Sequence, residues 1–252
     1  METINGEWYM KCCQADDPSR LHHAEEAAEL VKTIGFLPLF SNDIPGFSVE
    51  ERSWAADWWT GSPLLDPWEW RGILARDKSV LYGKFFDKKA GFVSSEWFPV
   101  FANYRRNGYD FDTLIDEGLA PNRARKLMQP FLSDGFPNQA SLFSYQLKEL
   151  AGFGKGGEKN FEGVLTELEM QSYLIVADFR QRVNRAGMPY GWHIAVIETP
   201  ENKLGYEHVT AAYQESPADS WSRICTQIRS FFPQATDDQL KKCLGIRQSG
   251  QK

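Results

Sequence analysis

The stretch from Leu142 to Thr199 constrains the fold more than any other part of this 252-residue chain. LFSYQLKELAGF (142–153) has the spacing of a short amphipathic helix, and GKGGEK (154–159) is a glycine-rich turn. NFEGVLTELEMQS (160–172) predicts a second helix whose apolar stripe is Phe161, Val164, Leu165 and Leu168. SYLIVADFRQRV (172–183) and YGWHIAVIET (190–199) read as strands flanking the turn Asn184-Arg185-Ala186-Gly187. Helix, turn, helix and a two-stranded hairpin is the order of a winged helix, here over 136–199.

The N-terminal portion is rich in aromatic residues. Ala24, Ala27, Ala28, Val31 and Ile34 form the buried stripe of a helix over 19–34, with Gly35 as its terminator. FLPLFSNDIPGFS (36–48) is an extended, buried connection, because its two prolines forbid a long helix. Ser48-Val-Glu-Glu has the form of a capping box and predicts a helix to about Thr60. That helix would set Trp54 and Trp58 on one face and Trp59 on another, with Trp54 and Trp58 as core anchors. Asp66-Pro67 predicts the cap of a short helix carrying Trp68, Trp70 and Arg71, of which Trp59 and Trp68 or Trp70 are the rings expected at the surface. SVLYGKFF (79–86) reads as a strand, Asp87-Lys88-Lys89 as a turn, and 91–101 as a second strand or a short helix. Residues 121–132 are helical, and two helices close the chain: 216–231, and one opened by the capping box at Thr236. The fold class is α+β: a winged-helix module joined to an N-terminal aromatic-rich α/β portion, with C-terminal helices. The divisions fall at 1–120, 121–205 and 206–252.

Net charge is −6, but it is unevenly spread. Residues 1–65 carry 11 acidic and 4 basic side chains, whereas 66–106 carry 5 and 8. Such a chain can meet a polyanion on one face only. The hairpin segment FRQRVNRAG (179–187) carries Arg180, Arg182 and Arg185 with no acid, and wings often lie along DNA phosphates. Lys88, Lys89, Arg105 and Arg106 are further candidate phosphate contacts, as are Lys155 and Lys159 in the glycine-rich turn, which lacks the spacing of a nucleotide-binding phosphate loop. Glu162, Glu167 and Glu169 oppose this reading, because the helix in the recognition position would repel phosphate. His22, His23, His193 and His208 have no metal-ligand spacing, so no metal and no cofactor is expected. Cys12, Cys13, Cys225 and Cys243 have no redox or zinc spacing. With no apolar run long enough for a membrane span and no signal-peptide pattern at the N-terminus, a reduced cytoplasmic protein is expected.

Three stretches, in order, carry a resemblance: FLPLFSNDIPGFS, LYGKFFDKKAGFVSSEWFPVFANYRR and the winged helix. Together they resemble the AlkZ-type winged-helix DNA glycosylases, which have an LPLFSR-like stretch and then a valine, a tryptophan, a proline and an arginine, matched here by Val93, Trp97, Pro99 and Arg105. The resemblance implies tandem winged helices with β elements, a duplex DNA partner, and removal of N-alkylated purines or unhooking of crosslinks. Two departures bear on activity. The family's glutamine-x-glutamine or glutamine-x-aspartate motif precedes the LPLFSR-like stretch, where this chain has AEEAAELVKTIG (24–35), with Glu26 near the second motif position. The family's histidine is also missing, near Lys84-Phe85-Phe86.

Three functions are therefore expected: a DNA-binding relative with lost or altered catalysis, a non-enzymatic protein-interaction or regulatory protein on the same fold, or an active alkylpurine glycosylase. In the last, Glu25 or Glu26 would serve as a replacement carboxylate that positions water and stabilises positive charge on the sugar.

Overall fold

The computed structural model describes residues 2–4, 7–132 and 141–245. Residues 136–140 of the stretch read as a winged helix, and 246–252 of the C-terminal segment, lie outside them.

Strands β1 (Glu2–Ile4) and β2 (Glu7–Tyr9) pair with each other, and α1 (Ala24–Ile34) follows. Its five buried residues are the five of the sequence stripe. Its start lies five residues later than the pattern suggests, because His23 Nδ1 caps it by accepting from the Glu26 amide. Gly35 ends it at φ 89°, a backbone region open mainly to glycine.

Next come β3 (Phe36–Pro38), α2 (Pro67–Arg76), β4 (Val80–Phe86), β5 (Lys89–Ser94) and α3 (Phe98–Arg106). The segment 91–101 is thus a strand followed by a helix. Two short helices, α4 (Phe111–Asp116) and α5 (Asn122–Met128), lead to β6 (Leu142–Phe143), α6 (Ser144–Leu150) and α7 (Phe161–Met170). The hairpin β7 (Ile175–Val183) and β8 (Pro189–Glu198) comes next, then α8 (Pro200–Leu204), α9 (Tyr206–Val209), α10 (Pro217–Phe231) and α11 (Asp237–Leu244). Ser216 caps α10, and Thr236 with Gln239 forms the expected capping box of α11.

One six-stranded antiparallel sheet, in the order β3-β5-β4-β7-β8-β6, joins the two halves of the chain. Its centre is covered on both sides, which is why VLYGKFF reads as a nearly continuous apolar run. Val80, Tyr82, Phe92 and Val176 belong to the core shared with α1, α2, α5 and α7. Leu81, Phe85, Val93 and Ile175 belong to the core shared with α3, α10 and α11. The alternation follows from the two-residue period of a strand. Within the sheet the joint is a single residue pair, Tyr82 and Val176 of β4 and β7, while both cores draw on the two halves.

The helix expected over 48–60 does not form. Ser48 and Glu51 make the local contacts of a capping box, but only two short 3-10 turns follow, at Glu50–Arg52 and Ala55–Asp57. Tertiary demands explain the break. Glu50 is buried and accepts from the backbone amides of Lys11 and Ser41. Ser53 turns extended at φ −132°, and its hydroxyl receives the Trp58 indole N–H at 2.8 Å. Trp58 is therefore core at 5% exposure, whereas Trp54 and Trp59 are 39% and 55% exposed. In the next helix Asp66 caps as expected, and Trp70 is buried with its indole donating to Leu64 O, while Trp68 is half-buried.

Candidate nucleic-acid interface

The β7–β8 hairpin leaves the sheet beyond its base. Its turn is built by Asn184, whose side chain accepts from the Ala186 and Met188 amides, with Gly187 at φ 77°. Strand alternation puts Arg180 and Arg182 on one face, over the rings of Phe143 (5.4 Å) and Tyr145 (4.3 Å). Asp178 holds Arg180 at 3.2 Å and Arg76 at 2.7 Å. Arg185 is exposed at the turn. Four large apolar side chains are exposed among these cations: Val183, Met188, Tyr190 and Trp192, the last at 92%. This is far from the usual place of a tryptophan.

At the base of the hairpin a cavity of about 430 Å³ opens between β4, β5, α2, α7 and the two hairpin strands. Phe40, Trp68, Tyr82 and Phe179 supply aromatic walls. Arg71 is clamped over the rings of Trp68 (3.3 Å) and Phe179 (4.5 Å). Lys84, Lys88 and Lys89 add cations, and Glu162 and Glu169 add the two acids. Phe179, Ala195 and Ile197 come from the hairpin itself, so cavity and hairpin form a continuous surface.

The acids of α7 are not a bare repulsive face. Glu169 is buried and accepts from the Lys84 backbone amide at 2.7 Å. Burial pushes its carboxyl up to about 7, against the pull of Lys84 and the backbone hydrogen bond. Glu167 pairs with Lys88 at 3.3 Å. Lys84 Nζ donates to Thr166 Oγ1 at 3.0 Å.

Residues 21–245 match the AlkZ-related family. The chain belongs to that family. No curated protein matches it. Among solved structures it is similar to the Streptomyces sahachiroi DNA glycosylase AlkZ, at 13% identity and a TM-score of 0.43. The match covers 90% of this chain and 60% of that one, so the chain spans about three-fifths of that enzyme's length.

Within this AlkZ-related chain the other sequence candidates are scattered. Arg105 and Arg106 are withdrawn from the phosphate contacts, because both are buried. Arg105 donates to the Met170 and Phe85 carbonyls; Arg106 donates to Glu201 and to the Ser172 carbonyl. They tie α3 to β4, the end of α7 and α8. Lys155 and Lys159 are exposed in the glycine-rich turn and do not line the cavity. Neighbouring Glu158 accepts from Arg123 and Lys126. Neither Glu25 nor Glu26 lines the cavity. Glu25 is exposed beside His23 at 3.1 Å. Glu26 accepts from the His22 amide at 2.7 Å, which holds its carboxyl below the usual range.

Sequence reasoning missed Arg71, Tyr82, Phe179, Lys84 and Glu169 as site residues. Two local signals were present: a single lysine inside the apolar strand VLYGKFF, and Glu162, Thr166 and Glu169 spaced four and three residues apart on one helix face.

Proposed function

We propose that this AlkZ-related chain binds duplex DNA along the hairpin and receives a nucleobase, swung out of the stack, in the aromatic cavity at the hairpin's base. In this reading α5, α6 and α7 with β7 and β8 are a winged helix, and the hairpin is its wing. The observation that carries it is the continuity of the surface: a cationic, aromatic-bearing hairpin leads into a cavity that it helps to wall. Arg180, Arg182 and Arg185 meet phosphates, and exposed Trp192 is an apolar wedge of the kind that unstacks a base step. An extruded base needs ring faces to stack on, and the four aromatic walls supply them. Lys88 and Lys89 at the cavity mouth serve the flanking phosphates. The role is one in DNA repair with catalysis altered from the family's glutamine motif. A replacement carboxylate for base excision is better sought inside the cavity than at Glu25 or Glu26.

The test is fluorescence anisotropy with duplex DNA across a salt series, on plain and N7-methylguanine duplexes, with free base assayed in the same tubes. Binding that weakens with salt and is abolished by the R180E/R182E/R185E variant is the expected outcome. Binding that survives the charge reversal unchanged would remove the hairpin from the interface.

One observation favours a second reading. Val183, Met188, Tyr190 and Trp192 make the hairpin apolar as well as cationic, as a protein-binding surface often is. A hairpin that binds no DNA at low salt would favour that role.

A further inference from the structure

Lys84 is the half-buried amine of the cavity. It stands on β4, the strand whose Tyr82 walls the same cavity, and Thr166 Oγ1 holds its Nζ at 3.0 Å. Lys88 and Lys89, by contrast, are exposed, and Lys88 is paired with Glu167. The Glu169 carboxylate accepts from the Lys84 backbone amide, which anchors the acid at the residue that carries the amine, and Glu169 and Lys84 line the same cavity. A lysine in a cavity beside a carboxylate, under aromatic walls, is the donor set of an imine-forming centre.

We propose that Lys84 is the nucleophile of an abasic-site lyase activity, with Glu169 as its acid and base, acting on the ring-opened deoxyribose of an abasic site in DNA. The proposal rests on the reading of the cavity as a nucleic-acid site. The Glu169 carboxylate takes a proton from the Lys84 ammonium, and the freed lone pair adds to the C1′ aldehyde. The proton returns to the departing hydroxyl, water leaves, and a protonated imine joins Nζ to C1′. Glu169, ionised again, takes a proton from C2′. The electrons of that C–H bond end in a C2′=C3′ double bond as the C3′–O bond breaks, and the phosphate leaves with its electron pair. Water then hydrolyses the imine, which returns the lysine and leaves an unsaturated aldehyde on the cut strand. No oxidant or reductant is needed. The carboxyl of Glu169, raised to about 7 by burial, can both give and take a proton near neutrality.

The test is borohydride trapping. The full chain is incubated with a 5′-labelled duplex that bears one abasic site, with and without borohydride, and read on denaturing gels. Binding to the same duplex carrying a non-reactive tetrahydrofuran site is measured in parallel. Reduction of the imine should leave a covalent protein–DNA adduct with the wild-type chain. Lys84→Arg and Lys84→Met should lose the adduct while retaining binding to the tetrahydrofuran duplex and the wild-type melting profile. Glu169→Gln keeps an acceptor for the Lys84 amide; it should retain some adduct but cut the strand more slowly. DNA binding without an adduct from the wild-type chain would overturn the lyase and leave the DNA reading standing. An undiminished adduct from Lys84→Met would assign the chemistry to another amine. Failure to bind the tetrahydrofuran duplex at low salt would overturn both.

Discussion

The end of α3 and the β7–β8 hairpin each carry arginines close together in sequence, and they use them in opposite ways. Arg105 and Arg106 are buried, and their guanidinium groups are spent on three backbone carbonyls and on Glu201. Arg180 and Arg182 are exposed and lie over aromatic rings, and Arg180 is also paired with Asp178. A buried guanidinium is a structural bolt, because five donors in a fixed fork can satisfy several acceptors that would otherwise be orphaned. An exposed one resting on a ring is preorganised but still able to meet a phosphate. Charge counts along the sequence cannot separate the two, and only the second kind belongs to an interface.

The largest expected effect breaks the comparison at its buried side. Arg106→Ala leaves the half-buried Glu201 and the Ser172 carbonyl without their donor, and the loss should approach that of a fully buried ion pair, about 3–5 kcal/mol. Chemical denaturation should show it as a lower midpoint at unchanged slope. A loss below about 1 kcal/mol, the range of an exposed pair, would mean that Arg106 is not the bolt described here.

Glu169 gives the next effect, and it is a function of pH. Its carboxyl is raised from 4.5 to about 7, with Lys84 as its cationic neighbour and Glu162 as the acid that adds to the rise. The protonated form is the one the fold favours. Its contribution is therefore complete below the unfolded value of 4.5 and is lost as pH rises through about 7. The shift corresponds to something on the order of 3 kcal/mol across that window. Denaturation of wild type and Glu169→Gln at about pH 5 and about pH 8 isolates it, since other titrating groups are common to both chains. The variant should lose less stability than wild type between the two conditions. Parallel behaviour would mean that the carboxyl is not desolvated.

Reversing the three hairpin arginines sharpens the other side. R180E/R182E/R185E should cost no more stability than the surface contacts it removes, about 0.5–1 kcal/mol for each ring contact of Arg180 and Arg182. In the neutralising variant R180Q/R182Q/R185Q, which keeps residual binding, the salt dependence should flatten by a slope of about 3, near one unit for each phosphate that is no longer neutralised. A large drop in stability instead would place these arginines with Arg105 and Arg106.

How much of this was legible in the sequence depended on how local the determinants are. The stripe of α1, the strand VLYGKFF, the Asp66 cap and the Thr236 capping box were read correctly, since each is fixed by residues within about one helical turn or one strand. The helix over 48–60 was misread because Ser53 and Glu50 answer to Trp58, Lys11 and Ser41 rather than to their own neighbours. The same limit hid the cavity, whose wall draws on residues from Phe40 to Ile197. Arg105 and Arg106 read as candidate phosphate contacts, because nothing in NYRRNG announces that Glu201 of α8 and three backbone carbonyls take up their donors. The resemblance to the AlkZ-type glycosylases was legible from three short stretches, and the family match over 21–245 bears it out.

The smallest effect tests whether the hairpin arginines are held at all. Arg182 lies 4.3 Å from the Tyr145 ring centre, and an exposed cation–π contact is worth about 0.5–1 kcal/mol. A double-mutant cycle of Arg182→Gln and Tyr145→Leu measures the coupling without confusing it with the removal of either side chain alone. The expected coupling lies within that range, and Arg182→Lys should recover only part of it, because an ammonium lacks the planar face that stacks on a ring. Zero coupling would mean that Arg182 moves freely in solution. The hairpin would then bring no preorganisation to a phosphate, and the contrast with α3 would reduce to burial alone.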